Sequence, residues 1–242
     1  MSEPPDAAIR EFLAAAWPPS IAQARDGWLL RATPGVPRGR LNSALPLVPD
    51  PDLAVVEDFY ATRGIPAQVQ VTPLDGHPAL TAELDARGWR ARWPSTVLAS
   101  PATLPEPAAE IELRPRPDAA WLAAWSAAEG RGPDDAGAHA DAVLAQLDGR
   151  AAYAISAAGD AVGIGVAGEG LCGLFCIATR PDRRRGGLGA AVVAALAGWA
   201  RERGATRLCL EVEQRNAAAL ALYARLGLTR RYDYLHRVAP AP

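Results

Sequence analysis

A chain of 242 residues can form one large domain or two small ones, and half of its residues are hydrophobic, which is enough for well-packed cores. A formal net charge of −2 and a pI near 6.0 give no overall basic surface, which argues against nucleic acid as a partner. The three cysteines lie in apolar runs and the three histidines lie far apart, so we expect reduced cysteines and no metal site.

The N-terminal stretch of the chain is acidic and has no apolar segment typical of a secretory signal. No window of about 18 apolar residues, the length that a membrane-spanning helix needs, occurs elsewhere in the sequence. These two features predict a cytoplasmic protein without a membrane partner.

The first half of the chain alternates between helix and strand patterns. Apolar residues at helical spacing predict helices over residues 5–16, 53–63 and 78–87, and short apolar runs predict strands over residues 28–32, 41–48, 69–71 and 89–99. Asp52 is expected to cap the second helix, and Gly64 and Gly88 are expected to close the second and third. No evident chemistry lies in this half.

A proline-rich stretch, Pro101–Pro107, predicts a linker, and we place a boundary there between lobes at residues 1–104 and 109–242. The second lobe is predicted to contain strands at 111–113, 151–157, 161–167, 171–179, 207–213 and 228–238, and helices at 118–129, 136–147, 188–203 and 216–226. Short turns predict antiparallel hairpins over residues 151–179. A helical crossover predicts that residues 207–213 lie parallel to residues 171–179.

A glycine-rich loop lies between the strand at 171–179 and the helix that follows it. Backbone N–H groups at a helix start have no intrahelical partner, and the helix dipole adds positive potential there, so such a loop can bind phosphate. The sequence has no lysine for a Walker A loop, and Val192 stands where a dinucleotide-binding fingerprint has its third glycine. The remaining pattern is R-x-x-G-x-G at Arg184, Gly187 and Gly189; the alternative is an ordinary turn with solvated arginines.

The order of elements and two motifs resemble the GNAT superfamily of N-acetyltransferases over residues 109–238. One motif is the R-x-x-G-x-G loop. The other, N-x-x-A-x-x-x-Y-x-x-x-G-L, is matched by Asn216, Ala219, Tyr223, Gly227 and Leu228. The resemblance implies a mixed α/β fold in which the fourth and fifth strands of the domain splay apart to admit acetyl-CoA as the cofactor.

The same resemblance assigns site residues. Main-chain groups near the end of the fourth strand and in the loop would hold the cofactor, together with Asn216: Ile177, Ala178, Thr179, Arg184, Arg185, Gly186, Gly187, Leu188, Gly189 and Ala190. Tyr223 would lie at the thioester sulfur and protonate the leaving thiolate. The alternatives are that Asn216 only caps a helix and that Tyr223 is a core aromatic. Gly186 occupies a position where the family often has a basic residue.

The general base is less clear, because the strand at 171–179 lacks the glutamate that many family members carry. Glu211 and Glu213 alternate onto one face of the next strand and are the candidate bases; the alternative is that they are surface carboxylates. The resemblance implies acetyl transfer to a primary amine by direct attack in a ternary complex, in a monomer or homodimer. The other hypothesis is a non-catalytic acyl-CoA sensor or interaction module.

The first half also looks like a truncated copy of the second. Gly64 and Gly204 both follow an arginine and close a helix, and Gly88 and Gly227 close the next helix at nearly the same offset. The segment of the first half that corresponds to the loop has no glycine. We therefore predict a degenerate GNAT-like N-terminal lobe that binds no cofactor, in a chain that resembles bacterial two-lobed GNAT proteins.

Overall fold

The structure, a computed structural model, describes residues 4–36, 39–72, 77–129, 143–147 and 149–240. Within these residues the helices are α1 (Asp6–Ala16), α2 (Ala54–Ala61), α3 (Pro78–Ala86), α4 (Ala119–Glu129), α5 (Leu188–Glu202) and α6 (Ala217–Arg225). The strands are β1 (Ile21–Arg25), β2 (Trp28–Ala32), β3 (Leu45–Pro46), β4 (Gln68–Val71), β5 (Arg90–Pro101), β6 (Ile111–Arg114), β7 (Ala151–Ser156), β8 (Ala161–Gly168), β9 (Leu171–Thr179), β10 (Arg207–Glu213) and β11 (Thr229–Val238). The predicted mixed α/β class is confirmed.

The chain forms two compact units that interleave along the sequence. The first unit comprises Met1–Trp17, Leu98–Leu210 and Ala217–Thr229, and the second comprises Pro18–Val97, Glu211–Asn216 and Arg230–Pro242. Strand β10 therefore contributes its first four residues to the first unit and its last three to the second. The predicted lobe boundary between residues 104 and 109 stays a prediction.

The first unit contains a mixed sheet in the order β5-β10-β9-β8-β7-β6. Strands β6 to β9 pair antiparallel in sequence, whereas β9 and β10 pair parallel, as the helical crossover predicts. Helix α5 can lie close to β8 because Gly163 has no side chain. A Cβ atom at Gly163 would come within 2.6 Å of both Ile177 Cδ1 and Val192 Cγ1.

The second unit contains a small antiparallel sheet in the order β1-β2-β3 and the strand order β4-β11-β5. Its core is a cluster of buried apolar side chains from β2, α2, β4 and α3, including Trp28, Leu53, Phe59 and Leu84. The N–H of the Trp28 indole donates to the carbonyl of Asp52 at 2.9 Å, which satisfies the polar atom of the buried ring.

Two pairs of helices end in the same way in the two halves of the chain. The first pair is α2 and α5. Just beyond each of these helices a backbone N–H donates to the carbonyl five residues earlier, from Ile65 to Tyr60 and from Ala205 to Ala200. The second pair is closed by the bond from Trp89 to Leu84 and by the bond from Leu228 to Tyr223, each 2.9 Å long. Such closures are common at helices that end in glycine, so the repeat and the degeneracy of the first lobe both stay predictions.

Most predicted elements lie where the sequence placed them, with three exceptions. The strand expected over residues 41–48 is wrong, since only Leu45–Pro46 is a strand and Gly39–Leu41 is a 3-10 turn. Strand β1 was not predicted. Residues 136–142 of the helix expected at 136–147 lie outside the described residues, and Leu144–Leu147 is a 3-10 turn.

Within the described ranges, none of the helices combines the length and the apolar character that crossing a membrane would require.

Candidate functional site

Strand β9 carries a bulge near its C-terminal end. Val162 and Ile164 of β8 are two residues apart, but their partners in β9, Ala178 and Phe175, are three residues apart. The extra residue is accommodated where Cys176 adopts a left-handed backbone with φ +51°. A bulge bends its strand and redirects the side chains that follow it, so β9 turns before it reaches Thr179.

The ladder between β9 and β10 is short. It includes only the pairs from Arg207 with Leu171 to Cys209 with Gly173, although β9 continues to Thr179 and β10 continues to Glu213. From Leu174 onward, β9 has no ladder with β10. This arrangement fits the splayed pair of strands that the resemblance implies, and it leaves a backbone edge of Ile177, Ala178 and Thr179 that is half-buried rather than covered.

The glycine-rich loop leads directly into helix α5. Gly187 precedes the helix in a left-handed conformation with φ +83°, which a residue with a side chain adopts only under strain. The first helical bond runs from the N–H of Ala191 to the carbonyl of Gly187 at 3.0 Å. The N–H groups of Leu188, Gly189 and Ala190 in the first turn therefore have no carbonyl within the helix. They lie beside exposed loop residues and can donate hydrogen bonds to a bound anion.

The arginines at the loop divide into two groups. Arg180 donates to the Asp160 carboxylate at 3.0 Å, and Arg183 lies 3.5 Å from the other oxygen of the same carboxylate. Arg183, the first of three consecutive arginines before the glycines, is therefore partly neutralised by Asp160. Arg184 donates through Nε to the carbonyl of Thr179 at 3.2 Å, and Arg185 is exposed.

The terminal nitrogens of Arg184 bond none of the described residues, and the same holds for the guanidinium of Arg185. These two arginines thus supply the unneutralised charge at the loop. Gly186, where the family often has a basic residue, is exposed and contributes no side chain.

Tyr223 lies on α6 and is buried, with 6% of its surface exposed. Burial raises the pKa of its hydroxyl above the ordinary value, and Cys176 on the β9 bulge raises it further, so Tyr223 remains protonated at neutral pH. The preceding residue, Leu222, lies at the loop, because a Cβ atom at Gly189 would come within 3.2 Å of its Cδ2. The structure therefore brings the tyrosine helix, the bulge and the loop together in the first unit.

The remaining predicted residues lie around the end of β10. Asn216 is exposed, comes directly before α6, and donates its backbone N–H to the carbonyl of Glu213 at 2.9 Å. Glu213 is partly exposed and pairs with Arg215. Glu211 is not a surface carboxylate: its side chain is 8% exposed, pairs with Arg40, and accepts a hydrogen bond from the Tyr234 hydroxyl at 3.2 Å.

Two residues of this site were missed by the sequence reasoning. Asp160 fixes the loop from the turn between β7 and β8, and no motif marks it; its backbone carbonyl also accepts the N–H of Arg180 at 2.8 Å. Cys176 was expected only to be a reduced cysteine in an apolar run, but it is half-buried and lies beside Tyr223. The only sequence signal for Cys176 is its position in a strand that has to bend.

The strand order, the short ladder after the bulge and the glycine loop define a GNAT fold, and comparison with solved structures agrees. A GCN5-related N-acetyltransferase from Kribbella flavida superposes with a TM-score of 0.68, at 18% identity, over 98% of this chain and 94% of that one. A tandem GNAT protein from the clavulanic acid biosynthesis pathway gives a TM-score of 0.57 at 14% identity, over 76% of this chain and 68% of that one.

The particular family follows from the sequence. Residues 7–237 match the family described as "Probable histone acetyltransferase Rv0428c C-terminal", and the chain belongs to this family. A curated relative, the [ribosomal protein bS18]-alanine N-acetyltransferase of Escherichia coli strain K12, is 50% identical over 54 residues, which are 22% of this chain and 36% of that protein. The chain thus spans about a third of the length of the curated relatives that it matches.

The residues at the loop fit the diphosphate of coenzyme A. The first turn of α5 offers three N–H groups, the glycines leave the backbone accessible, and Arg184 and Arg185 add two positive charges. A thioester sulfur would need a proton donor, and Tyr223 is a neutral hydroxyl on the helix next to the loop. Each of these features concerns the first unit alone.

Proposed function

We propose that this chain is an N-acetyltransferase that moves an acetyl group from acetyl-CoA to a primary amine by direct attack in a ternary complex. The observation that carries the proposal is the open first turn of α5, entered through Gly187, at the end of a strand whose ladder with β10 has already stopped. An ordinary strand-to-helix turn needs neither the left-handed glycine nor the unpaired strand edge.

Acetyl-CoA, when bound, supplies the acetyl group as a thioester. In the proposed binding mode the N–H groups of Leu188, Gly189 and Ala190 bind the diphosphate, and Arg184 and Arg185 pair with its oxygens. Main-chain groups of Ile177, Ala178 and Thr179 hold the pantetheine arm along the unpaired edge of β9. Gly186 and Gly187 keep the turn narrow, and Asn216 fixes the start of α6.

The proposed proton transfers use two side chains. The amine nitrogen forms a bond to the acetyl carbon while the carbon–sulfur bond breaks, and Tyr223 gives its proton to the departing thiolate. The ammonium form of the acceptor must first lose a proton. We assign that step to Glu211 rather than to Glu213, because the side chain of Glu211 is 8% exposed and that of Glu213 is 39% exposed, and because Oε1 of Glu211 bonds none of the described residues.

The test is a coupled experiment on one preparation of the full chain. Calorimetry with acetyl-CoA measures binding, and release of free coenzyme A is followed while a panel of amines is offered as acceptors. Binding with acceptor-dependent release supports the enzyme. Binding with no release above the hydrolysis rate, across the whole panel, would instead favour the acyl-CoA sensor, and absence of binding would reject both functions.

A further inference from the structure

Among the described residues of the second unit, one buried arginine has no carboxylate partner. Arg31 on β2 is 2% exposed, and its guanidinium bonds only neutral groups: the carbonyl and hydroxyl oxygens of Ser43 at 2.9 and 2.8 Å, and Oε1 of Gln70 at 2.8 Å. Its Nη1 bonds none of the described residues. Burial lowers the pKa of Arg31 to about 10, so it is still a cation at neutral pH. Buried charges in proteins are normally paired, which makes this cation exceptional.

A buried histidine lies next to this arginine. His236 on β11 is 4% exposed, and neither of its ring nitrogens has a hydrogen-bond partner among the described residues. The ladder between β4 and β11 places it opposite Gln70, the residue that binds Arg31. Burial, with Arg31 and Arg40 adding to the effect, lowers the pKa of His236 to about 3. The ring is therefore neutral and holds one unused N–H donor and one unused acceptor.

The charges around these two residues do not balance. The Glu211 carboxylate is the one negative group among the electrostatic neighbours of Arg31, whereas Arg40 is a second cation that already pairs with Glu211. Tyr234 is uncharged because burial raises the pKa of its hydroxyl. Among the described groups that act on Arg31, one carboxylate thus faces two guanidinium groups, Arg31 itself included, and a single anionic group would neutralise the excess positive charge.

A partly exposed aromatic ring borders the cluster. Trp93 on β5 is 40% exposed, and its ring meets the ring of His236 edge to face at a centroid distance of 5.7 Å. Its backbone is left-handed, with φ +47°, a conformation in which a bulky residue is strained. A large apolar side chain held in this way beside unpaired donors is a suitable surface for the carbon skeleton of a small ligand.

We propose that Arg31 and His236 bind the carboxylate of the acyl acceptor, which is therefore a small amine that carries a carboxylate, of the amino-acid type. Nη1 of Arg31 and the ring N–H of His236 donate to the carboxylate, and Trp93 contacts the carbon skeleton. Oε1 of Glu211 remains available to the amine of the same molecule. The identification of this ligand as the acceptor rests on the proposed function, whereas binding of a carboxylate does not.

The direct test uses the wild-type chain without acetyl-CoA. Acetate, the smallest carboxylate that retains an apolar carbon, is titrated while the ring signals of ¹⁵N-labelled His236 are observed, and acetamide is the uncharged control. Acetate is expected to shift the His236 signals in a saturable manner and to raise its pKa, and acetamide is expected to bind at least about tenfold more weakly. Unchanged His236 signals in the presence of acetate would overturn the proposal.

Variants add a second readout. Arg31→Gln should weaken acetate binding about 10- to 100-fold, because a hydrogen bond to a charged group is lost. His77→Gln is the matched control, since His77 is another buried histidine of the second unit, with an unpartnered Nδ1, and it should bind acetate like wild type. If Arg31→Gln fails to fold, the wild-type titration still decides the question.

The acceptor assignment is tested by pairing each amino acid with the amine that lacks its carboxylate, for example phenylalanine with phenethylamine. The amino acid should have the lower KM, and Arg31→Gln should raise that KM by a larger factor than it changes the KM of the amine. Equal KM values in the wild type would overturn the assignment. Acetate binding with no turnover of any amine would reject the proposed function and leave a carboxylate site, so the two failures are distinguishable.

Discussion

Gly187 provides the sharpest test of the loop, because the same helix offers a matched control at its other end. Gly187 precedes α5 and Gly204 follows it; both have φ +83°, and no atom lies within 4 Å of the Cβ that alanine would add at either position. Any effect of alanine on stability is therefore backbone strain alone. The left-handed conformation costs a residue with a side chain roughly 1–2 kcal/mol.

We expect Gly204→Ala to lower the free energy of unfolding by about 1–2 kcal/mol, measured by denaturant titration, and Gly187→Ala to lower it by less, because its exposed loop can relax in the free protein. Their effects on coenzyme A should differ. In the Gly187→Ala variant without coenzyme A, the exposed loop can relax towards negative φ at residue 187. Binding of coenzyme A must then restore the left-handed turn. The strain then reappears as lost affinity, about 5- to 30-fold in Kd by calorimetry, since about 1.4 kcal/mol corresponds to a factor of ten.

Gly204→Ala should bind coenzyme A with the wild-type Kd, since its strain lies beyond the C-terminus of α5. The reasoning is refuted if Gly187→Ala loses less stability than Gly204→Ala and still binds coenzyme A within about twofold of wild type, a difference of about 0.4 kcal/mol that strain at the loop would exceed. Equal losses of affinity in the two variants would also refute it, because the effect would then come from α5 as a whole.

Three further predictions concern single side chains. Tyr223→Phe should lower kcat by about 10²- to 10⁴-fold with little change in Kd for acetyl-CoA, and a wild-type kcat where chemistry limits turnover would remove Tyr223 from the mechanism. Asp160→Asn should weaken coenzyme A binding more than Asp182→Asn, because Asp160 is the buried anchor of two arginines; equal Kd values for the two variants would contradict this. Glu211→Gln should lower kcat by about 10²-fold or more and Glu213→Gln should not, in rates measured against pH; the reverse order would exchange their roles.

Local patterns were enough to predict the elements around the site. The limits of β9 and β10 match the predicted ones residue for residue, since both are apolar runs bounded by turn residues. The hairpin of β1 and β2 was missed, although Asp26-Gly27 is a strong turn signal and both residues have positive φ. The reason is that Ile21–Arg25 is mostly exposed and has no apolar alternation to indicate a strand.

Side-chain partners could not be predicted in the same way, because they depend on contacts between distant segments. The sequence placed Glu211 on one face of a strand, but its pairing with Arg40 joins residues 171 positions apart. The same holds for Asp160, whose carboxylate reaches arginines 20 and 23 residues later. Spacing along a strand gives the face of a side chain, whereas burial and charge partners require the fold.

The helix starts show why the two halves of the chain differ in chemistry even where their helix ends agree. The closures at Ile65 and Ala205 align the two halves with an offset of 205 − 65 = 140 residues. With this offset, the first residue of α2, Ala54, corresponds to residue 194. Because α5 begins at Leu188, it is six residues longer at its N-terminus. The N-terminus of α2 is also occupied, because Oδ1 of Asp52 accepts the N–H of Ala54 at 2.9 Å. A carboxylate from the chain itself satisfies a donor there and opposes a second anion, whereas the first turn of α5 has no such group. The absence of an internal anion at α5, as much as the presence of glycine, is what leaves that helix start available for phosphate.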